Sequence, residues 1–379
     1  MALSLWRILF SKKKTISDRD GSEQPDWSFL HPDLICLISR KLTDISDFVR
    51  FRLVCKRWRH AVQASDLAPQ LPWIMDDHWG FNKGYLRFYS LLTNKTYTVN
   101  VDQYFYPDHR YILGSTYNYI PIYNWETREC SLFNPLTNEE LSLPRAKSEE
   151  CQICVPSDQS SRYVCVTNTP NGLDAFLYSC QLGDLKWTSI QPVSNLDIGG
   201  KLFLDSGFAL YDEMFYANDW ETGCTKVINL VTRTVLCVVP RPEPELGVPV
   251  CLVVSFGEIL RVCQYHKYKT EKPYYFDIYR LELGKRDGNV VHPCWIKIDR
   301  IGNQFLFLHE DHGCAFRADD FPGFIGNSIY FLREKAVGKT EINRYDLKEG
   351  KIEVREVPIK LGRSWFVPSL CKQSSNYRS

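Results

Sequence analysis

The sequence predicts a mainly β chain: a small N-terminal three-helix module followed by a six- or seven-bladed β-propeller. Apolar residues recur at helical spacing only between Trp27 and Gln63. Beyond Gln63, short aromatic and β-branched runs alternate with turn signals, as in YLRFYSLL, VINLV, TVLCVV, YFDIYRLEL and SIYFL. Hairpins of similar make-up then return at a roughly constant step.

The chain starts with MALSLWRILFSKKK, whose apolar stretch is interrupted by Arg7 and followed, not preceded, by lysines. That order is wrong for a secretory signal, while the scarcity of acidic residues before Asp18 leaves a transit peptide open. The polar, breaker-rich run SKKKTISDRDGSEQPD makes residues 1–26 a disordered lead-in. The first helix opens at Pro32, where a missing N–H costs nothing, and carries Leu34, Ile38 and Leu42 in four-residue steps, widened by Ile35 and Leu37. Asp44 and Ser46 offer caps for a second helix through Phe48, Val49 and Phe51, and Val54, Trp58 and Val62 step through a third. Fewer than about 40 residues rarely bury enough surface to stand alone, so residues 27–63 call for a partner.

From about residue 70 to 370 the chain reads as all-β, roughly twice the size at which one sandwich becomes strained. Four segments show strand, turn, strand: 90–100, 133–144, 228–240 and 345–358. Two more, 176–190 and 279–298, place Trp187 and Trp295 on the return strand. The turn residues Asn94, Asn138, Gly183, Thr232, Asp287 and Glu349 are spaced by 44, 45, 49, 55 and 62 residues, which brackets one propeller blade. A lone blade cannot bury both its faces, whereas a ring of blades buries each against its neighbours. Trp187 and Trp295 would fill the gaps, and LPWIM at 71–75 would pair beside WFVP at 365–368 to close the ring. Two stacked sandwiches are the competing arrangement. Residues 371–379 are read as a disordered tail.

Lysine and arginine total 46 against 45 for aspartate and glutamate, so a net charge of +1 argues for neither nucleic acid nor an acidic membrane as partner. Fourteen dispersed cysteines, many inside apolar runs such as those around Cys165, Cys237 and Cys251, read as small buried hydrophobes in a reducing compartment. Cytoplasm and nucleus fit that expectation. After the N-terminal stretch, no segment reaches the about 18 apolar residues of a membrane span.

Leu30, Pro32, Asp33, Leu34, Ile38, Leu42, Asp47, Val54, Cys55, Lys56, Arg57, Trp58 and Arg59 occur in an order that resembles the F-box, the motif that binds the Skp adaptor of cullin-RING ubiquitin ligases. The resemblance implies adaptor contacts at Leu30, Pro32, Leu34, Ile38, Leu42, Val54, Cys55 and Trp58. His31 separates Leu30 from Pro32, which the family usually has adjacent, so the first contact is open to being shifted or weakened. The runs GSTYNYIPIYNWETRECSLFNPLTNEELSLP, KWTSI, SGFALYDEMFYAND, SFGEILRVCQ and FRADDFPGFIGNSIYFL further resemble plant F-box proteins with a kelch-related propeller of the KIB type, over residues 70 to 370. The chain departs from that pattern at HEDHGC.

The two resemblances together imply a non-catalytic substrate-recognition subunit of an SCF-type ligase, with an unknown target protein on the propeller. The alternative is a protein-binding or inhibitory propeller with a vestigial F-box. Candidate chemistry is otherwise sparse. Cys151 and Cys154 form the sole Cys-x-x-Cys, without further ligands at zinc spacing, and strand alternation sends them to opposite faces. His309, Glu310, Asp311, His312 and Cys314 are the densest metal-capable group, but in a strand-to-turn context rather than on a helix. No phosphate loop or nucleophile elbow is present, and the carboxylates Asp319 and Asp320 lack a partner. Catalytic residues, cofactor and metal are therefore all expected to be none. The aromatic, charged loops at 265–275 and 218–224 are the expected recognition surface.

Overall fold

A computed structural model describes residues 26–76, 84–101, 110–112, 118–147, 151–155, 163–168, 176–190, 207–219, 222–243, 248–266, 274–286, 289–308, 313–335, 339–360 and 362–371. The polar lead-in up to Pro25, the tail from Lys372, His309 to His312, Trp220, Glu221 and residues 267–273 lie outside them. The chain divides into two compact units, one of Met1–Leu71, Leu92–Asn94 and Ser369–Ser379, the other of Pro72–Leu91 and Lys95–Pro368.

The first unit holds helices α1 (Pro32–Ser39), α2 (Ile45–Arg52) and α3 (Lys56–Ala61), preceded by a 3₁₀ turn at Trp27–Phe29. The four-residue steps predict a longer first helix and a longer third one. Leu42 lies beyond the end of α1, and Val54 and Val62 flank α3 instead of riding on it. The Ser39 hydroxyl donates back to the Cys36 carbonyl at 2.8 Å, a local alternative to the helical ladder at the last turn of α1.

The second unit is a ring of six strand groups among the described residues. The first group has the order β25-β1-β2-β3, with β1 (Trp73–Asp76), β2 (Tyr85–Ser90), β3 (Lys95–Asn100) and β25 (Gly362–Phe366). Trp73 pairs with Phe366 and Ile74 with Trp365, so the two ends of the domain share one blade as the sequence predicts. Three four-stranded groups follow: β4 (Arg110–Ile112) to β7 (Glu139–Leu143), β8 (Cys151–Cys154) to β11 (Thr188–Ser189), and β12 (Phe208–Tyr211) to β15 (Thr234–Val239). The fifth blade is β16 (Val248–Ser255), β17 (Glu258–His266), β18 (Tyr274–Arg286) and β19 (Asn289–Ile298). All six hairpins read from the sequence form outer strand pairs of blades.

The sixth blade departs from the simple repeat. It contains β20 (Gln304–Leu308), β21 (Gly313–Arg317), β22 (Ser328–Lys335), β23 (Lys339–Asp346) and β24 (Ile352–Lys360). β20 runs parallel to β22, and β21 pairs in parallel with β16, which merges the fifth and sixth blades into one nine-stranded sheet. Gly313 permits that approach, since a Cβ there would stand 2.7 Å from Cγ2 of Val253 and 3.0 Å from the carbonyl of Phe307.

Strands inside a blade are buried along their length because both their faces are covered. β5 (Ile120–Asn124) and β6 (Cys130–Asn134) are buried at every position, while the outer β3 alternates between exposed and half-buried. Cores form between blades. Leu132, Leu143 and Tyr119 of the second pack with Val164, Val166 and Cys180 of the third, around Trp187. Trp295 sits in the cluster joining Val227 and Val239 to Leu252 and Tyr279. Both tryptophans thus fill inter-blade space, and Nε1–H of Trp187 donates to the Pro144 carbonyl at 2.9 Å.

Candidate functional site: an apolar face on the helical module

Local chemistry starts each short helix. Nδ1 of His31 accepts the Asp33 N–H at 3.3 Å, with Pro32 at the first helical position of α1. Asp44 accepts the Ser46 N–H at 2.8 Å and caps α2. The Cys55 sulfur accepts the Trp58 N–H at 3.5 Å and caps α3. Arg50 and Arg52 in the last turn of α2, and Arg59 and His60 in that of α3, lie at the negative ends of their helices.

Ile35, Phe48, Phe51, Trp58 and Val62 form the module's core. The rings of Phe51 and Trp58 lie 4.4 Å apart, and Nε1–H of Trp58 donates to the Trp27 carbonyl at 3.2 Å. The edge is tied by Cys36 Sγ to the Ala61 carbonyl at 2.9 Å, Arg52 Nε to the Val62 carbonyl at 3.1 Å, and Arg40 to Asp66 at 3.0 Å. Asp66 also accepts the Gln63 N–H at 2.9 Å, and Gln70 donates to the Thr43 and Ala68 carbonyls, so the module continues past residue 63.

Too many apolar side chains are present for that core to absorb. Seven of the fifteen exposed large hydrophobics among the described residues fall within 27–54: Trp27, Phe29, Leu34, Leu37, Val49, Leu53 and Val54. Phe29 is 71% exposed, Leu53 66% and Leu37 56%. α1 is therefore apolar on two sides, with Ile35 turned inward and Leu34 and Leu37 outward. Such a density of exposed apolar surface on a small unit marks an interaction face.

The residues named from the sequence divide accordingly. Leu34, Val54 and Pro32 are exposed, and Leu30, Ile38, Leu42 and Cys55 are half-buried, packed against the core. Trp58, expected at the adaptor face, is 1% exposed and is the largest side chain of the core. Phe29, Leu37, Val49 and Leu53 are outward residues that were not among the expected adaptor contacts. Their signal was available: they are the apolar residues left once each short helix has filled its inward stripe.

Elsewhere the described residues include several buried thiols. Cys165 is fully buried, and burial pushes its thiol well above the ordinary range. Burial likewise pushes Cys180 up to about 12, so both remain protonated and unreactive. Among the described residues no group of three His, Cys, Asp or Glu is arranged to hold a metal. The base of the 218–224 loop is locked from below. The fully buried Arg261 guanidinium donates to Asn218 Oδ1 at 3.0 Å, the Gly223 carbonyl at 2.9 Å and Thr225 Oγ1 at 3.2 Å.

Comparison with known proteins matches the F-box domain over residues 27–68 and the KIB1-4 beta-propeller over residues 88–354. One F-box protein of Arabidopsis thaliana is 24% identical and covers 91% of this chain and 95% of its own. An F-box/kelch-repeat protein of the same plant is 22% identical over 92% of this chain and 94% of its own length. A further Arabidopsis thaliana F-box protein is 25% identical over 82% of this chain and 96% of its own. TolB from Acinetobacter baumannii superposes with a TM-score of 0.42 at 10% identity, over 84% of this chain and 72% of that one, a level that carries no argument. With an F-box domain ahead of a propeller match that spans more than half of its residues, the chain belongs to the KIB1-4 beta-propeller family.

Proposed function

We propose that this protein is a substrate-recognition subunit of an SCF-type cullin-RING ubiquitin ligase. Its helical module holds a Skp-type adaptor, and its propeller holds a target protein. The observation that carries the reading is the row of outward apolar side chains Phe29, Leu34, Leu37, Leu53 and Val54, left over on a module whose core is built from other residues. The subunit contributes position: it raises the local concentration of target lysines near a ubiquitin-charged enzyme held elsewhere in the assembly.

Interfaces of this kind draw most of their affinity from a few buried apolar anchors. A charge placed at an outward anchor must be desolvated on docking, while the module's own core is untouched. Leu34→Asp and Leu53→Asp are each expected to lower affinity for the adaptor at least about 100-fold with helix content unchanged. Co-expression with the adaptor and size-exclusion chromatography reads this directly. Undiminished co-elution of both variants would refute the docking role and favour a propeller that binds its partner outside any ligase.

A further inference from the structure

The helical module's core draws on the opposite end of the chain. Leu370, half-buried, packs against the cluster of Ile35, Phe48, Phe51, Trp58 and Val62. Ser369, Leu370 and Cys371 belong to the same compact unit as those helices. The Ser369 hydroxyl accepts the Cys371 N–H at 3.1 Å, so Leu370 is carried on a local turn. A core of five buried side chains, four on three helices of six to eight residues and Val62 just beyond the third, is small, and helices that short owe their stability to packing. Seven partly buried apolar residues pack around that core, and of these Leu370 is the one that comes from the far end of the chain.

We infer that Leu370 is a positioning residue for adaptor docking: it completes the core that holds α1, α2 and α3 in the arrangement whose outer face carries Leu34, Leu37, Leu53 and Val54. The inference rests on the adaptor-docking reading of that face. Leu370 itself is not one of the outward anchors. Its loss therefore lowers the fraction of molecules with a formed module and leaves the docking surface of those that remain intact. Apparent affinity falls by that fraction, through the association rate, with the dissociation rate unchanged.

The test uses the full chain and a purified Skp-type adaptor. It compares Leu370→Asp, Leu370→Met, a chain ended after Cys371, and Leu34→Asp. Leu370→Asp is expected to strip the Ile35, Phe48 and Trp58 amides of nearly all hydrogen-exchange protection, the formed fraction falling to about one-tenth, while the amides of β16 to β19 keep theirs. Adaptor association should slow about tenfold at a constant dissociation rate. Leu370→Met should restore both, and ending the chain after Cys371 should change neither. Leu34→Asp should show the opposite split, with normal protection and faster dissociation. Unchanged protection in Leu370→Asp, or slower association that Leu370→Met fails to repair, overturns the positioning role while the docking reading stands. A wild-type chain that binds no adaptor sinks both.

Discussion

Asp346 shows how a single side chain serves the ring. Its Oδ1 accepts the N–H groups of Lys348 and Glu349, each at 2.9 Å, and its Oδ2 lies 3.4 Å from Arg344. The Glu349 N–H foremost, then those of Lys348 and the Arg344 guanidinium, hold the carboxyl below the usual aspartate range. A group whose folded pKa is depressed contributes stability that is fully present above its unfolded value, near 3.9, and is lost as pH falls through the folded value. Asn134 and Asn229 hold the corresponding turns with neutral amide oxygens, accepting from Leu136 and Thr137 and from Val231 and Thr232. Asp346→Asn should therefore keep the turn, cost no more than about 1 kcal/mol at pH 7, and lose less stability than wild type between pH 5 and pH 2. Denaturant unfolding across that range checks it, and an acid slope identical to wild type would show that the carboxylate adds nothing. At this scale the sequence was legible for the helix starts, because Pro32 and Asp44 act within their own segment, whereas the Asx turns of Asn134, Asn229 and Asp346 were not singled out. It was not legible for Trp58, whose direction is decided by Phe51 and Trp27 rather than by its own segment.

Four outer hairpins end their turns in one conformation. Asn94, Asn138, Arg233 and Gly350 have φ of 56°, 54°, 60° and 62°. Asparagine and glycine visit that left-handed region at little cost, whereas arginine does so at a penalty of about 1 kcal/mol. Arg233 is exposed and follows the Asx turn of Asn229 in the fourth blade. Arg233→Asn is expected to stabilise the propeller by about 0.5–1 kcal/mol, seen as a higher denaturation midpoint with an unchanged slope. A lower midpoint would mean that the arginine side chain makes a contribution its exposure does not suggest. Asx, two residues, threonine or glutamate and a left-handed residue recur in three of these turns, with Ser90 in the Asx place of the first; the hairpins were readable from the apolar strands on either side of each turn. Strand pairing in the sixth blade was not readable in the same way. The parallel pairing of β20 with β22 and of β21 with β16 joins segments that are not neighbours in sequence, and what permits the second is one missing Cβ at Gly313.

A ring differs from an open stack of repeats in having no free end. β25 supplies the inner strand of the first blade, and behind it Nε1–H of Trp365 donates to the Leu308 carbonyl of the sixth at 2.8 Å. The Trp365 ring lies 4.8 Å from that of Phe307, and the Val367 carbonyl accepts the Asn118 N–H of the second-blade segment at 3.0 Å. One short stretch near the end of the chain thus joins three blades. The closing pair could be foreseen because LPWIM and WFVP are apolar strands at the two ends of a domain that must close. The hydrogen bond to Leu308 could not, since it depends on the extra strands of the sixth blade. Truncating a buried aromatic of this size costs about 3–5 kcal/mol, and here the buried carbonyl of Leu308 also loses its donor. Because the ring shares its closing contacts among neighbours, that loss should be felt by the whole propeller. Trp365→Ala is expected to shift the entire β-sheet unfolding transition to lower denaturant as one cooperative step. If the first and sixth blades instead melt ahead of an unshifted transition for the other four, the propeller behaves as an open array and closure at Trp365 does not set its stability.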